Sequence, residues 1–185
     1  MLVEVRWHGR GGQGIVTVSR LLAYAALLDG KYVQAFPEFG PERRGAPVTG
    51  YTRISDEPIS IHSHIYTPNI VVIVDPTLIG TVDVIGGLVQ DGIIVANTEK
   101  NVADLKQALK TEKAKVYTVN ATRIALDVLG RPIYNTAMLG ALVKASPLVK
   151  LESLDKVVKE RFAGAVGEKN VAVIKRAYEE ATGVE

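Results

Sequence analysis

The stretch from Val3 to Leu28 constrains this chain more than any other. An alternating run, Val3-Glu4-Val5-Arg6-Trp7-His8, breaks into Gly9-Arg10-Gly11-Gly12-Gln13-Gly14. Ile15, Val18, Leu22 and Ala25 then recur at helical spacing. The order is strand, tight glycine turn, helix. The pattern predicts a strand over Leu2 to Trp7 and a helix from about Gly12 to Leu28, stopped by Asp29-Gly30 with Gly30 just past its end. Such a helix begins with unpaired N–H groups and about half a positive charge. Glycines let an anion approach that backbone closely. Gly9, Gly11 and Gly14 also satisfy G-x-G-x-x-G between a strand and a helix, the context a dinucleotide fingerprint needs. The same glycines serve equally well if they only allow strand and helix to pack tightly.

The rest of the chain alternates strands with helices. A short strand is expected at Tyr32 to Phe36. Pro37 to Pro47 is read as a loop, because it holds three prolines and two glycines. Val48 to Ser55 and the alternating Ile59, Ile61 and Ile65 are expected to pair as an antiparallel hairpin with one wet face. Ile70 to Val74 is continuously apolar, as in a strand buried on both faces. Asp75-Pro76 is expected to open a helix reaching about Ile85, followed by a buried strand at Gly92 to Ala96. Asn101 and Asn120 are candidate caps for two further helices, with a strand at Lys115 to Val119 between them. From Asn135 onward the spacing is helical only, in three segments. This pattern is that of an α/β, Rossmann-like three-layer sandwich with a mixed, mostly parallel sheet, an antiparallel hairpin and a helical C-terminal third. No internal boundary is visible, so residues 1–185 read as one domain.

Composition narrows the function. Among 185 residues, 22 basic and 20 acidic side chains nearly balance, which disfavours nucleic acid as a partner. The chain has no Cys, so thiol catalysis, disulfides and thiolate-held iron–sulfur clusters are excluded on it. Three His, two of them at His62 and His64, do not suggest a metal site. No run is long enough for a membrane span, and Glu4 and Arg6 do not suit a signal peptide. A cytoplasmic protein with no membrane role is expected, and the shortage of Cys and Met fits a thermophile.

A dinucleotide site should end its second strand in an acid that holds the ribose hydroxyls. Here Gln34-Ala35-Phe36 stands instead, and Glu38 follows only after Pro37. An NAD(P)-dependent dehydrogenase is therefore the weaker reading. The candidate binding residues are Gly9, Gly11, Gly12, Gln13 and Gly14, with Arg43 and Arg44 as fork-shaped cations for phosphate oxygens. Glu42 is expected to orient those arginines. Asp75, Asn97 and Asn120 each end a strand and precede a helix. Capping is the expectation for Asn120, and a ligand contact stays open for Asp75 and Asn97. His8 is expected to be structural, and Asn135 to cap the first C-terminal helix. No catalytic or metal residue is assigned.

Two blocks carry a family resemblance. Gly9-Arg10-Gly11-Gly12-Gln13-Gly14 and Gly40-Pro41-Glu42-Arg43-Arg44-Gly45 together resemble the gamma subunit, or equivalent domain, of 2-oxoacid:ferredoxin oxidoreductases. Ala46-Pro47-Val48-Thr49 is similar to the pyruvate and branched-chain members more than to the 2-oxoglutarate ones. Asp75-Pro76 and Asn97-Thr98 also sit where the family has them, so the resemblance spans the chain. It implies a complex that oxidatively decarboxylates a 2-oxoacid, passes the acyl group to coenzyme A and reduces ferredoxin. Thiamine diphosphate, Mg and iron–sulfur clusters would lie on alpha, beta and delta type partner subunits. This chain would hold no tightly bound cofactor, help to bind coenzyme A as co-substrate, and support assembly. A purely structural subunit is the other outcome.

Overall fold

A computed structural model describes residues 1–38 and 43–183. The strands are β1 (Leu2–Arg10), β2 (Tyr32–Pro37), β3 (Pro47–Ser55), β4 (Ile70–Ile73), β5 (Ile93–Asn97), β6 (Lys115–Val119) and β7 (Thr182–Gly183). They form one 7-stranded sheet in the order β2-β3-β1-β4-β5-β6-β7. β1, β4, β5 and β6 are parallel, whereas β3 runs antiparallel between β1 and β2, and β7 antiparallel beside β6. The helices are α1 (Ile15–Leu28), α2 (Val102–Leu109), α3 (Ala121–Leu129), α4 (Asn135–Ala145), α5 (Leu151–Arg161) and α6 (Ala165–Glu180). The α/β sandwich read from the alternating pattern is thus the fold observed.

β4 shows why the chain makes three layers. Its residues are apolar without alternation, so both faces must be covered. Ile70, Val72 and Val74 enter a core shared with α1, α3, α4, α5 and α6. Val71 and Ile73 enter a smaller core with Leu78, Ile94, Leu105 and Leu109. Each such side chain contributes about 1.5–3 kcal/mol on burial. Among the described residues, no helix is long and apolar enough to cross a membrane.

Several local expectations are corrected. β1 runs on to Arg10, and α1 begins at Ile15 rather than Gly12, because Gly12 and Gly14 adopt left-handed φ values of 92° and 74°. Pro37 and Pro47 end β2 and begin β3 instead of lying in the loop, and Gly40, Pro41 and Glu42 fall outside the described residues. β3 pairs with β1 and β2, and residues 57–69 form no strand, so the hairpin partner expected at Ile59 to Ile65 does not form. Its face is not wet either: Arg53 is 1% exposed. After Asp75 only a 3₁₀ turn forms at Pro76–Leu78. Gly80, at φ 84°, and the β-branched residues around it stop a helix there. Asn101 and Asn120 do cap, accepting from Asp104 N–H and Arg123 N–H at 2.9 and 3.0 Å. Asn135 does not: Tyr134 is in the cap position of α4 and makes no side-chain cap bond.

Candidate functional site

In an open parallel sheet, ligands gather at the carboxyl ends of the strands where successive connections diverge. Here that place lies between β1 and β4. From β1 the chain turns through α1 toward β2, and from β4 it runs the other way, to β5. The glycine turn follows β1, and Asp75 follows β4.

The turn is anchored by side chains. Arg10 C=O accepts from Gln13 N–H at 3.0 Å, and Gln13 Oε1 accepts from Arg10 N–H at 2.7 Å. Gln13 Nε2 donates to Asp75 Oδ2 at 2.6 Å and to Tyr134 Oη at 3.1 Å. The Gln13 side chain is therefore fully occupied within the chain. Arg10 Nε and Nη2 donate to Thr77 Oγ1 at 3.2 and 2.9 Å, and Nη1 donates to Gly45 C=O at 3.1 Å. Its guanidinium also lies 3.3 Å from Asp75 Oδ2. Burial pushes the Asp75 carboxyl up. Hydrogen bonds from Thr77 and Gln13 and the Arg10 charge outweigh that and hold it below the usual carboxylate range. Burial, and then the Asp75 charge, raise Tyr134 above an ordinary phenol.

The glycine turn and the arginine loop are one unit. Gly11 N–H donates to Ala46 C=O at 2.8 Å, and Gly45 N–H donates to Gly11 C=O at 3.0 Å. A Cβ on Gly11 would lie 2.6 Å from the Arg43 carbonyl oxygen. Gly9 and Gly14 are likewise filled, by the Ile15 side chain and by Asn135 Nδ2. Gly12 is different: its Cβ position is open, with Arg44 Cγ at 3.6 Å as nearest neighbour. Arg43 and Arg44 are exposed. The structure thus joins Gly11 and Gly12 to Arg43 and Arg44, and gives Gly9, Gln13 and Gly14 to the scaffold.

The helix end behind this turn is open. α1 has no side-chain cap and no acid in its first turn. Among the described residues, no acceptor bonds the N–H groups of Gly12, Gly14, Ile15, Val16 or Thr17. A cleft of about 300 Å³ lies over Gly12, Gly14, Ile15 and Val16, bounded by Arg10, Pro37 and Thr49. Partial positive charge, free donors and the Arg44 guanidinium, whose Nε lies 3.8 Å from the Cβ position of Gly12, suit a phosphate.

The remaining candidates are structural. Asn97 Nδ2 donates to Val74 C=O at 3.2 Å and to Thr122 Oγ1 at 3.0 Å, tying β5 to β4 and α3. His8 is 8% exposed and accepts from Arg6 Nε at 3.0 Å. Burial and the adjacent Arg6 charge lower it to about 3, so it stays neutral and does no acid–base work near pH 7. Sequence reading missed the layer to which it belongs. Arg6 Nη2 donates to the carbonyls of Val84 and Gly86 at 3.2 and 2.6 Å. Arg53 donates to Glu4 Oε1 at 2.7 Å and to Gln34 Oε1 at 3.0 Å. The alternation Glu4, Arg6, His8 was a signal of one polar face, but nothing local said that the face is roofed.

Comparison with known proteins agrees with this geometry. A family profile described as pyruvate ferredoxin/flavodoxin oxidoreductase matches residues 4–180. The "Pyruvate/ketoisovalerate oxidoreductases common subunit gamma" of Pyrococcus furiosus is 54% identical over 178 residues, 96% of each chain. The "Pyruvate synthase subunit PorC" of Methanothermobacter marburgensis is 50% identical over 178 residues, 96% of this chain and 97% of that one. The crystal structure of pyruvate oxidoreductase subunit PORC from Thermotoga maritima is 41% identical and superposes with a TM-score of 0.90, covering 100% of this chain and 99% of that one. With two motif blocks joined into one unit and a match of this extent, the chain belongs to the pyruvate ferredoxin/flavodoxin oxidoreductase family, in its gamma-subunit branch.

Proposed function

We propose that this chain is the gamma subunit of a 2-oxoacid:ferredoxin oxidoreductase acting on pyruvate or a branched-chain analogue, and that its glycine turn and arginine loop hold phosphates of coenzyme A. The complex decarboxylates the 2-oxoacid, acylates coenzyme A and passes two electrons to ferredoxin. Thiamine diphosphate with Mg supplies the carbanion chemistry and iron–sulfur clusters the electron path, both on alpha, beta and delta type partners. This chain has no Cys to ligate a cluster and carries no complete active site. Its contribution is binding and orientation. The relatives' names support the reaction class and the multi-subunit setting.

One observation carries the coenzyme A role: the unpartnered N–H groups of Gly12, Gly14, Ile15 and Val16 face a cleft beside the Arg43–Ala46 loop, which is bonded to Gly11. A nicotinamide cofactor fits less well. β2 ends at Phe36-Pro37, and the next acid, Glu38, accepts from the Tyr51 hydroxyl at 3.2 Å. The tightly filled Gly9, Gly11 and Gly14 support the structural reading for those three glycines but not for Gly12.

The test uses the assembled complex with Arg43→Ala or Arg44→Ala. Losing one charge-assisted contact weakens binding by about 1.5–3 kcal/mol, so KM for coenzyme A should rise at least about tenfold. KM for the 2-oxoacid should not move. An unchanged KM for coenzyme A in a correctly assembled complex rejects the phosphate role and leaves assembly alone.

A further inference from the structure

β2 is the last strand on one side of the sheet, and its outer edge is unpaired among the described residues. The register shows which groups are left over. Glu38 N–H donates to Thr49 C=O at 2.9 Å, in step with the pairs that run from Tyr32–Ser55 to Pro37–Gly50. Bonded and open pairs alternate along an antiparallel ladder. Tyr32, Gln34 and Phe36 therefore direct their N–H and C=O groups to β3, and Val33 and Ala35 turn theirs outward. Pro37, the next outward position, has no N–H and ends the run of free donors. Lys31 N–H is taken by Ala26 C=O at the other end. The free edge is thus short, with a donor and an acceptor at each of Val33 and Ala35.

That edge lacks the usual protection. Native edge strands carry a charge, a bulge or a cover that discourages pairing. Residues 32–36 hold no charged side chain, and their register with β3 is unbroken. Apolar side chains stand beside the edge. Tyr32 is 48% exposed, and Ile61, whose carbonyl accepts from Gln34 Nε2 at 2.9 Å, is 41% exposed. The pattern is also its own complement. When two copies meet antiparallel about a two-fold axis at Gln34, Val33 of each lies opposite Ala35 of the other. Every N–H and C=O of those residues is then bonded. Tyr32 of each copy lies opposite Phe36 of the other, an aromatic cross-strand pair on either side of the axis. Neighbouring axes fit less well. One at Ala35 sets Val33 against Pro37 and leaves the Val33 carbonyl without a donor. One at Val33 sets Ala35 against the occupied N–H of Lys31. We propose that β2 pairs with β2 of a second copy of this chain about a two-fold axis at Gln34, joining two seven-stranded sheets into one. Such a contact is isologous and closed, the commonest form of a homodimer.

The chain has no Cys, which makes the axis directly testable. Cα atoms across an open antiparallel pair lie about 4.5 Å apart, within the range a disulfide spans. Gln34→Cys should therefore give a disulfide-linked pair of this chain on mild oxidation, in the full chain or in the assembled complex. Leu126→Cys is the control: it is 47% exposed on α3, which follows β6 near the other side of the sheet, and should not link. Gln34 Oε1 also accepts from Arg53 Nη1 at 3.0 Å, so a second measurement leaves Gln34 in place. Sedimentation equilibrium of the wild-type chain should show monomer and dimer, and Tyr32→Lys, which removes both aromatic pairs, should weaken the dimer about tenfold. A link that forms only in the complex supports the same pairing. No link in either setting, a link as ready at Leu126→Cys as at Gln34→Cys, or a dimer unchanged by Tyr32→Lys overturns the proposal. A link from Gln34→Cys to a different subunit assigns the edge to that subunit and overturns it too.

Discussion

At the scale of single residues, His8 shows how position overrides type. It ends the strand that leads into a phosphate-ready turn, where an imidazole would be a natural acid or base. Yet it is buried against Arg6 and held neutral, lowered to about 3. Its effect on stability follows from that shift. Unfolded histidine takes up a proton below about 6.5, whereas folded His8 does not until about 3. The unfolded state thus binds more protons across that window, and stability falls as pH falls through it. Between pH 7.5 and 5.0 this costs about 2 kcal/mol. Urea unfolding of the wild type should show that loss, and His8→Gln should reduce the pH slope by a similar amount. An identical slope in both proteins rules out a buried neutral His8. Asp75 does not confuse the measurement, because its carboxyl lies below the usual range and protonates only at lower pH. Gln13 is the opposite case to His8. Its type suggested a phosphate contact, and its three partners in the chain make it a brace.

Among elements, the glycine turn between β1 and α1 separates into parts with different jobs. Gly14 combines a φ of 74° with an Asn135 side chain in its Cβ position. Gly12 has a φ of 92° but an open Cβ position. Gly14→Ala should therefore cost about 2–4 kcal/mol from clash and strain together, and Gly12→Ala only about 1–2 kcal/mol from backbone strain. Denaturant midpoints of the two variants measure the difference. Equal losses would mean that Asn135 moves aside freely. The sequence reads G-x-G-x-x-G and cannot divide it this way, because Asn135 reaches the turn from 121 positions along the chain. Helix starts follow the same logic. The Asn101 and Asn120 caps were legible because cap and helix are neighbours. Asn135 looked identical on the page and was diverted to Gly14 C=O by the packing of α4 against α1.

On the level of the whole molecule, the site is made where two connections diverge, and it is open on the side of the α1 N-terminus. Gly12, Arg43 and Arg44 face outward there, which suits a subunit that completes a binding site with its neighbours. Native mass spectrometry of the endogenous complex should find this chain with larger partners that carry thiamine diphosphate. Partner subunits stripped of it should lose turnover dependent on coenzyme A and recover it when the wild-type chain is added back. Full activity and unchanged coenzyme A affinity without this chain would contradict the proposed role.

Period and punctuation in the sequence were enough for most of the strands and helices and for the three-layer class. These depend on neighbours within a few residues, where spacing maps directly onto geometry. The tertiary structure alone decided which strand β3 pairs with, why residues 57–69 form no hairpin arm, and why Arg6 and Arg53 are buried and Glu4 half-buried rather than wet. It also decided which glycines are packed and which one is free. Each of those depends on what arrives from far along the chain. A polar alternation looks the same in sequence whether water or another loop covers it, and only the completed fold supplies the cover.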